Sequence, residues 1–572
     1  MAARNNRGGG GGGGGKKGAE AVVSVLSSQG VRVCFANPGT TEMELVGAMD
    51  AVDGVRPVLC LHETVCAGAA DGYARMKEAV RKAGGSEGGN SFHEPGCVLL
   101  HLGPGLANAL ANLHNARRAS VPLLVLVGDM ATWHRGADAP LEMDIEALAW
   151  TVSRHVTVSE EAGTQTRDTL DAVMATQRSD TSGGSRIATL ILPHDRTWEK
   201  AEEAKGTVAG NAAEATNHNV HADDGVARFV KECGVALMAA KEGTAAIFLG
   251  GEALCGENIV LAGEIASTTG AVLLAENSFA RIDRGSGMPE VVRVPYFPQE
   301  ASKFFTKFSM VVTIGARHPV AQFGYRDGPS KLLLEKHFND DNIWEIDGGM
   351  GVRDALQMIC AAVKGVSIPS LPTPATGSKK TSVVSRPPVP PGKLTANAMC
   401  AVIASLQPPN AIVVDESLTS GTQYWEYTEK VPAFSHLALT GGAIGQGIPC
   451  AVGAAIACPD RRVINIQADG SGCYSVQGLW TQAREQLDVT TIVCANRTYA
   501  ILKLEMARQR IASSGKNARR LTELDGPHVE WTHLAEGFGV PAVQVTTTEE
   551  LSKAMQKSLA TPGPMLIEAL LT

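Results

Sequence analysis

Short, continuous apolar runs separated by longer stretches of helical periodicity recur along the whole chain, and this rhythm constrains the fold more than any other feature. Residues 31–36, 96–100 and 123–127 read as strands without a polar face, interleaved with helices expected over 19–29, 64–76 and 106–118. The alternation returns with strands at 245–249, 271–274 and 310–314, and again at 411–414, 463–467 and 491–495. A strand that is apolar on both faces has to be covered on both. That favours parallel sheets flanked by helices, with ligands at the carboxyl ends of the strands. The fold class expected is therefore α/β, with three consecutive doubly wound parallel-sheet domains. The first and third share size and rhythm, which suggests related folds, although no sequence repeat is evident.

A chain of 572 residues with 44% hydrophobic and 19% charged residues can bury several cores. Composition changes mark the boundaries. Residues 199–224 are rich in Ala, Glu, Asn and His without apolar periodicity, and 366–392 are rich in Pro, Ser, Thr and Lys; both read as linkers. Residues 81–96, rich in Gly, Ser and charge, read as a surface insertion within the first domain. The expected bodies are 18–198, 225–365 and 393–572, preceded by a disordered glycine-rich tail over 1–17.

The formal charge of −8 and the pI near 6.0 give no strong positive field, so no nucleic-acid partner is expected. The longest apolar runs fall far short of the roughly 18 residues a membrane helix needs. Twelve cysteines without a C-x-x-C pair read as reduced, mostly buried thiols. A soluble, cytoplasmic enzyme acting on small molecules is the expectation, with organelle import left open by a tail that has basic residues and no acids.

Chemistry concentrates where the strand at 463–467 runs into Asp469-Gly470-Ser471 and the strand at 491–495 runs into Asn496-Arg497-Thr498-Tyr499. Adjacent parallel strands would bring both turns to one edge. Asp469 then offers a carboxylate, Asn496 a side-chain carbonyl and Thr498 a backbone carbonyl, the hard oxygen ligands that Mg²⁺ takes together with phosphate oxygens. Ser471 and the amides at Gly470 could meet the same phosphates. The alternative is an ordinary turn beside an ordinary strand end. Three further segments invite a bland and a specific reading alike. Glu63 opens an Ala- and Gly-rich helix, where a carboxylate also suits the helix dipole. Asn37-Pro38-Gly39-Thr40-Thr41-Glu42 opens another helix and reads either as an anion site or as simple capping. His101 ends a buried strand and is either structural or a proton carrier.

Asp469-Gly470-Ser471 followed by 25 residues and Asn496 resembles the thiamine diphosphate signature, a Gly-Asp-Gly followed by about 25 residues and Asn-Asn. Ala468 replaces the first glycine and Arg497 the second asparagine; neither position has to supply a metal-bound oxygen. The resemblance implies pyrimidine-binding, central and diphosphate-binding domains in that order. It implies that Glu63 hydrogen-bonds N1′ of the aminopyrimidine and exchanges a proton with it. In Thr440-Gly-Gly442-Ala-Ile444-Gly445 it implies that the Gly442 carbonyl takes the N4′ hydrogen bond and that Ile444 sits under the cofactor to bend it. This run lacks the G-x-G-x-x-G spacing of a dinucleotide loop. Thr419, in the loop after the strand at 411–414, is implied near the diphosphate, as is Tyr499.

The Asn-Pro-Gly-Thr segment resembles that of benzoylformate decarboxylases, which places Thr40 at the substrate carboxylate, and the His101 loop resembles one that carries an active-site histidine. Residues 102–118 and 138–146 are similar to acetolactate synthase large subunits. Residues 275–284 stand where flavin-binding members carry a Gly-Met-Leu-Gly-Met-His-Gly stretch, and Ile444 stands where they carry methionine, which argues against FAD. The expected cofactors are thiamine diphosphate and Mg²⁺, and the expected substrate is a small 2-oxo acid. The expected activity is acetolactate synthase-like carboligation, with benzoylformate decarboxylase-like decarboxylation as the alternative. A noncatalytic cofactor-binding partner subunit and an NAD-dependent oxidoreductase remain readings of another class. Glu63 and the metal turn lie in different bodies, and in this family that implies a cofactor held between subunits, hence a homodimer or homotetramer.

Overall fold

A computed structural model describes residues 16–77, 80–81, 91–177, 184–201, 224–326, 328–339, 342–346, 350–365, 384–511 and 515–572. The tail expected over 1–17, the insertion over 81–96 and the linkers over 199–224 and 366–392 fall largely outside these residues. Three main sheets carry the chain. The first has six parallel strands in the spatial order Arg56–Leu59, Val33–Asn37, Gly96–Leu100, Leu123–Asp129, Ile187–Pro193, His155–Val158. Its middle strands are buried throughout, as runs without a polar face require.

The third sheet repeats that order with Phe434–Ala438, Ile412–Glu416, Val463–Ala468, Val489–Ala495, Met565–Leu570 and Ala542–Val545, again parallel. In both sheets the strands follow the order second, first, third, fourth, sixth, fifth, so the shared rhythm of the two bodies reflects a shared topology. The middle sheet places Val292–Arg293, Val272–Ala275, Ala245–Leu249, Met310–Ile314 and Ile343–Ile346 side by side, also parallel.

One strand departs from expectation. Arg281–Arg284, from the body expected over 225–365, leaves the middle sheet and pairs antiparallel with Phe434–Ala438 on the edge of the third. Its charge is matched locally: Arg281 forks onto Asp283 at 3.1 and 3.0 Å, and Ser435 also donates to Asp283 Oδ1 at 2.7 Å. The strand covers an exposed sheet edge and ties two bodies together.

The first and third bodies share a core in which Ala67, Ala70 and Tyr73 pack with Ile412, Val414, Cys450 and Ala451. At its centre the helix Glu63–Met76 lies against the helix Gly447–Ala457. Small residues let their backbones touch. A Cβ on Gly72 would meet the Cys450 carbonyl oxygen at 2.1 Å, and one on Gly453 would meet that of Ala69 at 1.8 Å. The buried Arg75–Asp71 fork links the pair further, with Arg75 donating to the Ala438 carbonyl at 2.8 Å and to Thr440 at 3.0 Å. No helix among the described residues is long and apolar enough to cross a membrane.

Candidate functional site

Both like sheets reverse strand order between their first and third strands, the place where open parallel sheets bind ligands. In the third sheet, loops after Ile412–Glu416, Val463–Ala468 and Val489–Ala495 meet there in a pocket lined by Thr419, Asp469, Gly470, Ser471, Asn496, Thr498 and Tyr499. Seven of the residues singled out in the sequence therefore converge. Register explains it, since Ala468 pairs with Cys494 and the two turns leave their strands side by side.

Asp469 is nearly buried. Its Oδ1 accepts from the Gly470 amide at 2.8 Å and its Oδ2 from the Arg497 amide at 2.7 Å. Burial raises its carboxyl above the ordinary value, and these amide bonds pull it back. The Asn496 side-chain oxygen accepts from the Thr498 amide at 3.0 Å, which holds that turn in shape. Arg497 adopts φ 55°, a left-handed conformation that asparagine tolerates better than arginine. A Cβ on Gly470 would lie 2.5 Å from the Tyr499 ring, so only glycine lets this ring close the pocket.

The donor set fits a cation held jointly with a phosphate. Asp469, Asn496 and the Thr498 backbone offer oxygen alone, and among the described residues no group of three or more His, Cys, Asp or Glu is arranged to hold a metal by itself. Such a half-shell suits Mg²⁺, which keeps few protein ligands and completes its sphere with phosphate and water oxygens.

Beside this pocket, Gly442 is exposed with φ 76°, and Ile444 is half-buried. The loop's far end is anchored on Glu416, a residue the sequence reading passed over. Buried at the end of its strand, Glu416 accepts the Gly445 and Gln446 amides at 2.7 and 3.3 Å on Oε1, and the Gly447 amide at 2.7 Å on Oε2. Gln467 bridges Glu416 at 2.9 Å to Ser471 at 2.6 Å. One buried network thus connects the Gly442 loop to the Asp469 turn. Burial raises the Glu416 carboxyl, and the bonds from Gln467 and the three amides oppose that rise.

On the first sheet Glu63 and His101 form a second cluster, and neither they nor Thr40 line the pocket around Asp469. Glu63 opens its helix with its side chain 15% exposed and accepts from Asn108 at 3.1 Å. His62 caps the same helix by accepting the Thr64 amide at 3.1 Å. Gly105 lies between Glu63 and His101, where a Cβ would be 3.4 Å from one and 3.7 Å from the other. His101 Nδ1 is 2.8 Å from Glu42, which is wholly buried and also accepts from the Gly39 amide at 2.7 Å and from Thr41 at 2.6 Å. Glu42 thus both closes the turn after Gly39 and orients His101, the arrangement of a base held by a carboxylate. The sequence reading saw only the capping role; the signal available was a glutamate three residues after Gly39. Thr40 is exposed at the start of that turn.

Two like sheets, one presenting an oxygen-lined pocket and the other a carboxylate–histidine cluster, define a class of α/β proteins that bind a phosphate-bearing group on carboxyl-edge loops. The chain belongs to the thiamine pyrophosphate enzyme family. Residues 16–148 match its N-terminal TPP-binding domain and residues 419–569 its C-terminal TPP-binding domain. A Mycobacterium tuberculosis protein named "Putative acetolactate synthase large subunit IlvX" is 43% identical over 96% of this chain and 98% of its own length. A benzoylformate decarboxylase of Pseudomonas aeruginosa is 25% identical over 96% of this chain and 97% of its own. In fold, the chain is similar to the thiamine diphosphate-dependent 4-hydroxybenzoylformate decarboxylase of Rhodococcus jostii, with a TM-score of 0.77 at 22% identity over 97% of this chain and 99% of that one.

Proposed function

We propose that the protein is a thiamine diphosphate- and Mg²⁺-dependent enzyme that breaks or forms the carbon–carbon bond next to the 2-oxo group of a small 2-oxo acid, with acetolactate synthase-like carboligation as its reaction. The observation that carries this reading is the convergence of Asp469, Asn496 and Thr498 with Thr419, Gly470, Ser471 and Tyr499 in one pocket. The 43% relative, named as an acetolactate synthase large subunit, supports the choice of reaction. When bound, the cofactor supplies a nucleophilic carbon and an electron sink.

In this reading Asp469 and Asn496, with the Thr498 carbonyl, hold Mg²⁺ on the diphosphate, while Gly470 and Ser471 line the phosphate side of the pocket. Glu63 exchanges a proton with N1′ of the aminopyrimidine, the Gly442 carbonyl accepts from N4′, and Ile444 packs beneath. Thr40 receives the substrate carboxylate. His101, fixed by Glu42, moves protons at the substrate oxygen. The His101–Glu42 pair also favours a second reading, simple decarboxylation of a benzoylformate-like acid, because it can deliver a proton where carboligation needs a second carbonyl.

Glu63 and the Asp469 pocket act on opposite ends of one cofactor, yet Glu63 does not line that pocket within a chain, which supports a homodimer whose sites are shared. Tyr474, Leu418 and Trp133 are large apolar side chains exposed in the single chain, as such an interface requires. A panel of 2-oxo acids including pyruvate and benzoylformate, assayed for both CO₂ and hydroxyketone, tests the reading. Activity on the panel that Glu63→Gln leaves unchanged would refute it.

A further inference from the structure

The backbone around Gly442 is gripped by a helix of the first body. Along Leu102–Arg118, His114 Nε2 donates to the Gly441 carbonyl at 3.2 Å, Asn115 Nδ2 to the Ala443 carbonyl at 2.7 Å, and Asn112 Nδ2 to the Gly445 carbonyl at 3.3 Å. The Ala443 amide returns the bond to Asn115 Oδ1 at 3.2 Å, and Thr440 donates to the Asn115 backbone carbonyl at 2.7 Å. Alternate carbonyls of the loop are thus taken by one helix face, while Gly442 between them stays exposed in its left-handed conformation. The approach is close: a Cβ on Gly441 would meet Asn115 Oδ1 at 2.5 Å and the His114 ring at 2.7 Å.

Asn112 and Asn115 are 1% and 0% exposed, unusual for asparagines in mid-helix. Buried amides are tolerated where their polar atoms are bonded. Here Asn115 also donates to Asn112 Oδ1 at 3.0 Å, and Asn112 to the Thr64 carbonyl at 2.9 Å.

The geometry points to Asn115 and His114 as positioning residues that hold the Gly442–Ile444 loop of the third body in the shape that accepts the aminopyrimidine half of the cofactor. This rests on the proposed function. It assigns to the helix Leu102–Arg118 a share in cofactor recognition without contact with the cofactor. Asn115 fixes both polar groups of Ala443, so neither can rotate to satisfy itself elsewhere, and His114 fixes the carbonyl on the other side of Gly442.

Two probes separate positioning from general support of the fold: thiamine diphosphate, and inorganic pyrophosphate, which engages only the Asp469–Ser471 side. Both are titrated calorimetrically with Mg²⁺ into wild type, Asn115→Ala and His114→Ala. Asn115→Ala should bind pyrophosphate within about twofold of wild type and thiamine diphosphate about tenfold more weakly, the scale of one or two lost hydrogen bonds. His114→Ala removes a single bond from a partly exposed side chain and should show the same split at about threefold. Equal shifts for both probes, no shift for either, or loss of fold in both variants would overturn the inference. Wild type that takes up pyrophosphate but not thiamine diphosphate would instead refute the proposed function itself.

Discussion

Replacing Gly453 by alanine would place a Cβ 1.8 Å from the Ala69 carbonyl oxygen and 2.5 Å from the Tyr73 amide nitrogen, both backbone atoms of the facing helix. Neither can be relieved by turning a side chain. The helices Glu63–Met76 and Gly447–Ala457 must therefore part by more than 1 Å along that line merely to open the approach to 3 Å, below which real Cβ contacts essentially do not occur. A gap of that size forfeits a quarter to a half of each dispersion contact across it. Ala67, Ala69, Ala70, Tyr73, Ala451, Val452 and Ala454 are all buried in this region. Overpacking of this kind costs about 1–3 kcal/mol, and the upper end applies when backbone has to move. Alanine returns about 1 kcal/mol of helix propensity, so a net loss of about 2 kcal/mol is expected.

Gly47, in the helix Met43–Ala51, is the control, because a Cβ there meets nothing within 4 Å. Gly47→Ala should gain about 0.5–1 kcal/mol. In urea unfolding followed by tryptophan fluorescence, the midpoint of Gly453→Ala should fall by roughly 0.5 M while that of Gly47→Ala rises slightly. A Gly453→Ala midpoint at or above wild type would refute the reasoning that backbone contact between these helices locks the two bodies together.

Three further outcomes follow from individual side chains. Glu42→Gln leaves His101 a neutral neighbour in place of a carboxylate, so turnover on the best 2-oxo acid should fall about tenfold or more; unchanged turnover would show that Glu42 only closes its turn. Burial pushes the Glu276 carboxyl up to about 7 against the pull of Arg317 and Arg118. Its folded value lies above the unfolded 4.5, so folding takes up a proton between these values and stability falls as pH rises through that window. Glu276→Gln should therefore gain in melting temperature over wild type at pH 8 relative to pH 5, and an equal difference at both pH values would contradict this. Arg497→Asn relaxes the left-handed backbone at φ 55° and should add about 1 kcal/mol of stability or less, seen as a slightly higher melting temperature, whereas a fall would show that the arginine side chain stabilises the turn.

The strands that sequence reveals best are those buried on both faces, because Leu123–Asp129 and Val489–Ala495 have to be apolar along their length. For the same reason the Asp469 pocket was legible: Asp469, Asn496 and Thr498 sit at the ends of two such strands, and adjacency alone brings them together. Arg281–Arg284 was not legible as a strand. Three of its four residues are charged, and what makes it a strand is an edge about 150 residues away in sequence, offered by Phe434–Ala438. Glu42 hid behind a capping role that it also performs. Asn112, Asn115 and Glu416 hid because polar residues in a helix or at a strand end read as surface. Only the tertiary contact between bodies shows that they are buried and bonded to the Gly442 loop.

The claim on which the account depends is that the oxygen-lined pocket of the third body holds a diphosphate through a divalent cation. Calorimetric titration of the metal-free protein with thiamine diphosphate in the presence of Mg²⁺ tests it directly. Saturable uptake approaching one cofactor per chain, lost in Asp469→Ala and without Mg²⁺, is the predicted result. Absence of uptake by wild type at any Mg²⁺ concentration, or uptake that Asp469→Ala leaves intact, would contradict it.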